Sequence, residues 1–188
     1  MNLLTINILD LIENYGEETT HKFIDDFECK KDASIEKFLK NNAMNFAKQK
    51  LSSTFLIMDE YYKIYGMFTL THKALNITNK SFSKAVSKRL QKFSSSIYKN
   101  TLLVSSFLIA QLAKNSKYDN GISGNKVLET AIKYIVMARQ IISGSLVYVD
   151  VKNNDKLINF YKNNGFIEFD KRYSEKDKIE YIQMMRFI

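Results

Sequence analysis

The order of patterns in the second half of the sequence most constrains the fold of this chain. Apolar, β-rich runs predict three strands, and amphipathic runs between them predict two helices: strands at 102–115, 145–151 and 179–188, helices at 123–142 and 154–166. Gly165 marks the end of the second helix. This alternation predicts a mixed α/β domain with at least one right-handed crossover connection.

The first half adds helices and a hairpin. Its predicted elements are an opening strand at 2–12, helices at 19–27 and 33–50, and strands at 52–60 and 62–75. Asp59 and Glu60 lie at the turn between the last two strands, which predicts an antiparallel hairpin. A basic helix follows the hairpin.

Length and composition restrict the class of protein. With 188 residues and 45% hydrophobic content, the chain can bury a core of its own, and we expect one domain over 1–188.

Polar residues interrupt the longest apolar stretch, 101–113, which is shorter than the roughly 20 residues of a membrane helix. The N-terminal stretch lacks the basic region of a signal peptide, so we expect a cytoplasmic protein without a membrane partner. One cysteine, Cys29, and two histidines give no zinc-ligand spacing, so we expect no metal.

Positive charge is concentrated in one segment of a chain whose net charge is +8. Residues 80–99 contain no acid and carry the cations Lys80, Lys84, Lys88, Arg89, Lys92 and Lys99. On a helix, a spacing of four places Lys84, Lys88 and Lys92 on one face. Two interpretations stay open: a solvated surface helix, or a surface that binds an anion such as nucleic-acid phosphate. The aromatic readout motifs of RNA-binding modules are missing.

Two of the six glycines, Gly121 and Gly124, lie three residues apart directly before a predicted helix. They are consistent with a turn in which Ser123 caps the helix. They are equally consistent with a backbone that approaches a phosphate at a helix N-terminus, where unpaired N–H groups attract anions. The stretch is not a complete phosphate-binding motif, so both interpretations stay open.

Four stretches, taken in order, carry a resemblance to a known family: residues 25–59, 63–75, 107–135 and 148–169. The chain resembles the GCN5-related N-acetyltransferases (GNAT), and most closely the branch that includes toxin acetyltransferases of bacterial toxin–antitoxin pairs. The most specific match is the "FYKNNGF" that ends the last stretch, and the least matched segment is 77–100. The resemblance implies the GNAT fold, a mixed and mostly antiparallel sheet flanked by helices, with the basic helix inserted between the third and fourth strands.

The resemblance also implies acetyl-CoA as cofactor. In this family the pantetheine arm pairs with the main chain of a strand, here Gln111, Leu112, Ala113 and Lys114. The pyrophosphate lies on loop amides, here those of Asn120, Gly121, Ile122, Ser123, Gly124 and Asn125. Only Gly124 matches the family's loop motif, because Ile122 stands at its earlier glycine position and Asp119 at its leading polar position. Asn154 is expected either to cap its helix or to lie near the cofactor.

Tyr161 matches the family's general acid, which gives a proton to the departing thiolate of coenzyme A. By residue type alone, a tyrosine on the apolar side of a helix is more often a packing residue. No residue is marked as the general base. Glu60, Asp59, His72 and Asp150 are candidates by type, and the base is left unassigned.

The function implied by the resemblance is an acetyl-CoA-dependent N-acetyltransferase acting on the amino group of aminoacyl-tRNA. The cations expected to contact the tRNA phosphates are Lys84, Lys88, Arg89 and Lys92. Two alternatives stay open: an acetyltransferase of a protein or small-molecule amine, and a non-catalytic binding protein on the same fold. Candidate partners are tRNA, an antitoxin protein and a second copy of the chain.

Overall fold

The structure is a computed structural model that describes residues 2–78, 82–98, 101–175 and 177–188. Its elements in chain order are β1 (Leu4–Asn7), α1 (Ile8–Asp25), α2 (Ala33–Asn41), α3 (Ala43–Lys48), β2 (Ser53–Met58), β3 (Ile64–Thr78), α4 (Lys84–Phe93), β4 (Ser94–Tyr98), β5 (Thr101–Lys114), a short 3-10 helix (Ser116–Tyr118), α5 (Gly124–Arg139), β6 (Leu146–Lys152), α6 (Asp155–Asn163), β7 (Ile167–Ser174) and β8 (Ile179–Phe187).

The strands form a mixed sheet. Seven of them follow the order β1-β2-β3-β5-β6-β8-β7, and β4 pairs with β5 outside that order. The pairs β1–β2, β2–β3, β4–β5, β6–β8 and β7–β8 are antiparallel, whereas β5 and β6 are parallel. The predicted fold class is therefore confirmed, as is the position of the basic helix α4 between the third and fourth strands.

By its internal contacts the chain divides into two compact units, each described here by itself. The first unit contains the residues up to Thr71 together with Ile109–Tyr134, and the second contains His72–Leu108 and Ile135–Ile188. One domain over 1–188 stays a prediction. No helix in the described part of the chain is both long and apolar enough to cross a bilayer.

The core of the first unit lies between helices α1–α3 and strands β1–β3. Phe27, Leu39 and Met58 are fully buried there, which removes large apolar surfaces from water. The predicted hairpin is confirmed, because β2 and β3 pair from Ser53 with Leu70 onward. Helices α1–α3 and the hairpin of β2 and β3 bury their apolar side chains against one another in this core.

The turn of the hairpin is built on Asp59. Its carboxylate accepts hydrogen bonds from the N–H groups of Tyr61 (2.9 Å) and Lys63 (3.0 Å) and from the hydroxyl of Tyr65 (3.0 Å). Burial acts to raise the pKa of Asp59, but these hydrogen bonds outweigh it and hold the pKa below its usual value. Asp59 thus has a structural role at the turn.

The opening strand is shorter than predicted. Residues 2–12 were expected to form a strand, but the strand ends at Asn7 and α1 begins at Ile8. The Asn7 side chain accepts a hydrogen bond from the N–H of Leu9 at 3.0 Å and so caps the helix. Ile8 and Leu11 are both buried, at the spacing of one helical turn.

One further prediction was wrong in detail, and two strands had no prediction. The single helix expected at 33–50 is divided at Asn42, whose φ of −124° is not helical, into α2 and α3. The strands β4 and β7 were not predicted. Most of the β7 residues are exposed, and the apolar–polar alternation of its first four residues is too short to mark the whole strand, because a lysine and an arginine follow.

The second unit has its own core, formed by Leu75, Ile77, Leu90, Val104 and residues of the C-terminal strands. The helix α4 begins at a cap in which the Ser83 side chain accepts from the N–H of Val86 (3.4 Å). Leu90 is its fully buried residue and anchors the helix to this core. Two cations of the predicted basic segment, Lys80 and Lys99, lie outside the described residues.

A buried amide connects distant segments of the first unit. The side chain of Asn115, which directly follows β5, accepts from the N–H groups of Glu28 (3.1 Å) and Lys117 (3.0 Å). It donates to the carbonyls of Ile64 (2.8 Å) and Asp26 (3.3 Å). Asn115 is fully buried, so water cannot replace these bonds if the amide is removed.

We therefore expect Asn115→Ala to lower the free energy of unfolding by about 3 kcal/mol, because it leaves several buried polar groups without partners. Urea denaturation measures this change. The matched control is Asn153→Ala at an exposed position, expected to change stability by less than about 0.5 kcal/mol. Equal effects of the two substitutions would contradict the role of Asn115.

Candidate functional site

The end of β5 supplies the main chain predicted to hold a pantetheine arm. The register between β5 and β6 runs from Ser106 with Leu146 to Leu108 with Tyr148, and β5 continues to Lys114. Residues 111–114 therefore lie beyond the last β6 pair, although they keep the extended conformation of a strand. Within this stretch Ala113 is buried, and its neighbours are half-buried.

The loop after β5 is closed by an ion pair. The Lys114 Nζ donates to the carbonyl of Asp119 at 2.7 Å and lies 3.2 Å from its carboxylate. The negative charge of Asp119, unfavourable beside a pyrophosphate, is thus compensated within the loop. The Lys114 side chain is three-quarters buried, whereas the Asp119 side chain is 62% exposed, so solvent screens the pair from the side of Asp119.

Close packing explains the glycine at 121. A Cβ on Gly121 would lie 2.1 Å from Cδ1 of Tyr65 and 3.1 Å from the carbonyl oxygen of Tyr118, so no side chain fits. The Gly121 N–H donates to that carbonyl at 2.8 Å and is thus used inside the loop. The binding of phosphate by the other loop amides stays a prediction.

Ile122 occupies the position where the family pattern has a glycine, and its side chain is buried. A Cβ on Gly66 of β3 would lie 2.9 Å from Cγ2 of Val127 and 3.7 Å from Cγ2 of Ile122, which shows how closely both side chains cover that strand. Ile122 therefore fixes the loop to the core of the first unit by apolar packing.

The helix α5 begins directly after this anchor. The Ser123 Oγ accepts a hydrogen bond from the N–H of Lys126 at 3.1 Å, and the carbonyl oxygen of Ser123 accepts one from the N–H of Val127 at 3.2 Å. These bonds confirm the predicted cap. Gly124 opens the 16-residue helix. The N-terminus of a helix of this length carries a partial positive charge that favours an anion.

Sequence reasoning missed the aromatic and acidic groups that fix the loop from the other side. The Asp26 carboxylate accepts from Lys117 Nζ (2.8 Å) and from the Tyr118 hydroxyl (2.7 Å). The bonds from Lys117 and then Tyr118 hold the pKa of Asp26 below its usual value. The Tyr118 ring also contacts that of Tyr65, with centroids 5.3 Å apart. No local signal marks these contacts, since Asp26 lies far away in the sequence.

The second unit carries Tyr161 on α6. The side chain of Asn154 accepts from the N–H groups of Lys156 (3.0 Å) and Leu157 (3.3 Å), so the capping interpretation of Asn154 is confirmed. The helix ends before Gly165, whose φ of +80° is the left-handed conformation typical of a C-terminal stop. A role of Asn154 beside a cofactor stays a prediction.

Tyr161 is almost fully buried, with 9% of its surface exposed. Its ring centroid lies 5.0 Å from that of Phe160 and 5.3 Å from that of Phe166. Burial raises the pKa of the phenol above its usual value, which already lies above physiological pH, so the hydroxyl is protonated there. Within the described part of the chain its hydroxyl forms no hydrogen bond. The arrangement therefore provides a neutral proton donor whose proton is not committed to another residue.

The candidate bases in the second unit are engaged in other contacts. Asp150 pairs with Arg172 (2.8 Å) and accepts from the side-chain amide of Gln183 (2.9 Å). The Nε2 of His72 lies 3.0 Å from the carbonyl of Ser143. With Asp59 committed to its turn, no base is identified, and Glu60 stays a candidate by type alone.

The cations of α4 take the positions that the spacing predicts. Lys84, Lys88, Arg89 and Lys92 are exposed, whereas Leu90 is buried and Val86 and Phe93 pack against the core. The segment thus presents a row of positive charge with no acid on the helix. Contact of these residues with RNA stays a prediction.

No protein-family model and no curated protein matches the chain. Solved structures do match it. AtaT complexed with acetyl-methionyl-tRNAfMet gives a TM-score of 0.68 at 15% identity, covering 96% of this chain and 94% of that one. An AtaT mutant toxin bound to the C-terminus of the antitoxin AtaR and acetyl-CoA gives 0.61 at 15% identity, covering 97% and 92%. A tyrosine-to-phenylalanine mutant of KacT gives 0.69 at 15% identity, covering 97% and 94%.

This similarity extends over nearly the whole chain, so the structure has the fold of the toxin acetyltransferases AtaT and KacT. The fold implied by the resemblance of the sequence is confirmed. At 15% identity the likeness concerns the fold.

The close packing of Gly121 against the Tyr65 ring can be tested by substitution. We expect Gly121→Ala to lower the free energy of unfolding by about 2 kcal/mol, because the new Cβ displaces the Tyr65 ring and its bond to Asp59. Thermal and urea denaturation measure the change. Asn120→Ala, at the neighbouring exposed position, is the control and should be close to neutral. A stable Gly121→Ala protein would refute the packing explanation.

Proposed function

We propose that this chain is an acetyl-CoA-dependent N-acetyltransferase that modifies the amino group of an aminoacyl-tRNA. The observation that carries the proposal is the fold match to AtaT over 96% of the chain, combined with the buried, neutral Tyr161 in the stretch that resembles the family's general acid. AtaT itself has been solved with acetyl-methionyl-tRNAfMet.

The proposed cofactor site lies in the first unit. Residues 111–114 offer main-chain N–H and C=O groups beyond the last β6 pair, which suit an added strand-like arm. The N-terminus of α5, opened by Gly124 after the Ser123 cap, suits the pyrophosphate. The Lys114–Asp119 pair supports this assignment, since it compensates the one acid of the loop.

Tyr161 is the proposed general acid. When bound, acetyl-CoA supplies the acetyl group as a thioester. In this proposal the Tyr161 hydroxyl would donate its proton to the sulfur that leaves, and the phenol is neutral before that step, as a tyrosine is at physiological pH. Phe160 and Phe166 keep the ring in an apolar environment, which is the cause of the raised pKa.

The exposed cations Lys84, Lys88, Arg89 and Lys92 are the proposed contacts to tRNA phosphates. Their free energy of interaction is electrostatic, so the affinity for RNA should fall with salt. AtaT has also been solved with the antitoxin AtaR, which supports an antitoxin partner for this chain. A homodimer stays a prediction.

The cofactor assignment is tested by binding. We expect the full-length protein to bind acetyl-CoA in calorimetry, and Gly124→Glu to weaken that binding by roughly 100-fold, because a carboxylate at the helix start repels the pyrophosphate. Gln140→Glu, an exposed position with the same change of charge, should bind normally. Absence of binding by the wild-type protein at high micromolar acetyl-CoA would remove the enzymatic proposal.

The acid assignment is tested by Tyr161→Phe, which keeps the packing and removes the proton donor. We expect the acetyl-transfer rate to drop by roughly 10²-fold, with acetyl-CoA affinity and Tm almost unchanged. Since burial raises the tyrosine pKa, the ratio of the two rates should be constant between about pH 6 and pH 9. Tyr173→Phe, at an exposed tyrosine, is the control. If Tyr161→Phe transfers acetyl groups as fast as wild type, Tyr161 is a packing residue.

A further inference from the structure

A small groove in the second unit has no role in the chemistry proposed above. It has a volume of about 250 Å³ and lies between α4, the turn after α6 and the last two strands. Its apolar wall is formed by Val86, Ile167, Met185 and Phe187, and two guanidinium groups, those of Arg89 and Arg186, border it. No acid is among its lining residues.

Both arginines are held in place by contacts that leave their charge uncompensated. The Arg89 guanidinium carbon lies 4.1 Å from the centroid of the Phe187 ring. The Arg186 Nη1 donates to the carbonyl of Asn164 at 3.1 Å. Among the described residues neither arginine has a carboxylate partner. Two fixed cations beside an apolar wall favour a ligand that combines a negative charge with an apolar, planar part.

An unpaired nucleotide has this combination. Bases of single-stranded RNA stack on aromatic rings and on arginine planes, and arginine pairs with phosphate through two parallel hydrogen bonds. At about 250 Å³ the groove is smaller than the roughly 300–1,000 Å³ of drug-sized pockets, so the occupant to consider is a single base with its phosphate at the arginines that border the groove. The exposed cations of α4 continue the positive charge away from the groove, as a phosphate backbone requires.

We propose that this groove binds one unpaired nucleotide of the acceptor RNA, with its base against Arg89 and the apolar wall and its phosphate at Arg186. Arg89 then contacts a base in place of the phosphate assigned to it under the proposed function. The proposal rests on the RNA substrate of the proposed function and adds a specific site to it. It assigns the α4 insertion a role in recognising single-stranded RNA, beyond general electrostatic attraction. Lys84, Lys88 and Lys92 then hold neighbouring phosphates.

The test measures binding of a fluorescent single-stranded eight-nucleotide RNA to the full-length protein without acetyl-CoA. We expect Arg89→Ala to weaken binding roughly tenfold, because the stacking surface is lost. Lys133→Ala, an exposed lysine on α5 with the same loss of charge, should change it less than about twofold. Arg89→Lys keeps the charge without the plane and should bind nearly as weakly as Arg89→Ala.

A second variant does not depend on the Arg89–Phe187 contact. Ala85→Glu places a carboxylate at the groove from an exposed helical position, and it should weaken RNA binding at least as much as Arg89→Ala. Gln140→Glu is its control. Inorganic polyphosphate, which has charge but no base, should bind wild type and Arg89→Lys with equal affinity.

The proposal is overturned if Arg89→Lys binds the RNA like wild type, or if Arg89→Ala loses no more than Lys133→Ala. It is also overturned if an acidic peptide binds in an Arg89-dependent manner while the RNA does not. Wild-type acetyl-CoA affinity, measured separately, distinguishes the two proposals. Intact acetyl-CoA binding with Arg89-independent RNA binding rejects the groove alone, and Arg89-dependent RNA binding without acetyl-CoA binding rejects the enzyme alone.

Discussion

The first unit depends on the buried amide of Asn115. Its side chain joins the end of β5 to Ile64 on β3 and to the segment that leaves α1 at Asp26 and Glu28. A buried amide that forms four hydrogen bonds has one orientation, because any rotation leaves donors or acceptors unpaired. The short helix at 116–118 therefore begins at a residue whose position is fixed, because the Lys117 N–H donates to the Asn115 side chain. The loop after this helix begins from the same fixed position.

Each departure of the loop from the pattern of the resembled family has a structural reason in the contacts of this chain. Gly121 is a glycine because its main chain lies against the Tyr65 ring, and Ile122 replaces a glycine because its side chain packs beside Gly66. Asp119 is compensated by Lys114. Packing of Ile122 and the Lys114–Asp119 ion pair thus hold the loop in place, where Ile122 replaces one glycine of the family's motif.

The second unit contains a buried polar side chain, Tyr161, and an exposed charged side chain, Arg89, that lies against an aromatic ring. Tyr161 is placed among aromatic rings, where burial favours the neutral phenol over the phenolate and so preserves its proton. Arg89 keeps its charge at the surface and uses the Phe187 ring only as a support. The unit therefore contains a buried neutral phenol and a cation held at its surface against an aromatic ring.

The sequence by itself determined the features that depend on neighbours within one or two turns of the chain: the alternation of strands and helices, the hairpin, the caps at Ser123 and Asn154, and the common face of the α4 lysines. It did not determine β7, whose apolar–polar alternation covers only four mostly exposed residues and which is a strand because β8 pairs with it. Nor did it reveal the Asn115 bonds, in which donor and acceptor lie up to 89 residues apart, or the position of Arg89 on Phe187. Periodicity records only which face of an element is apolar, whereas the partner of a buried polar group or of a surface cation is chosen by the tertiary structure that brings distant segments together.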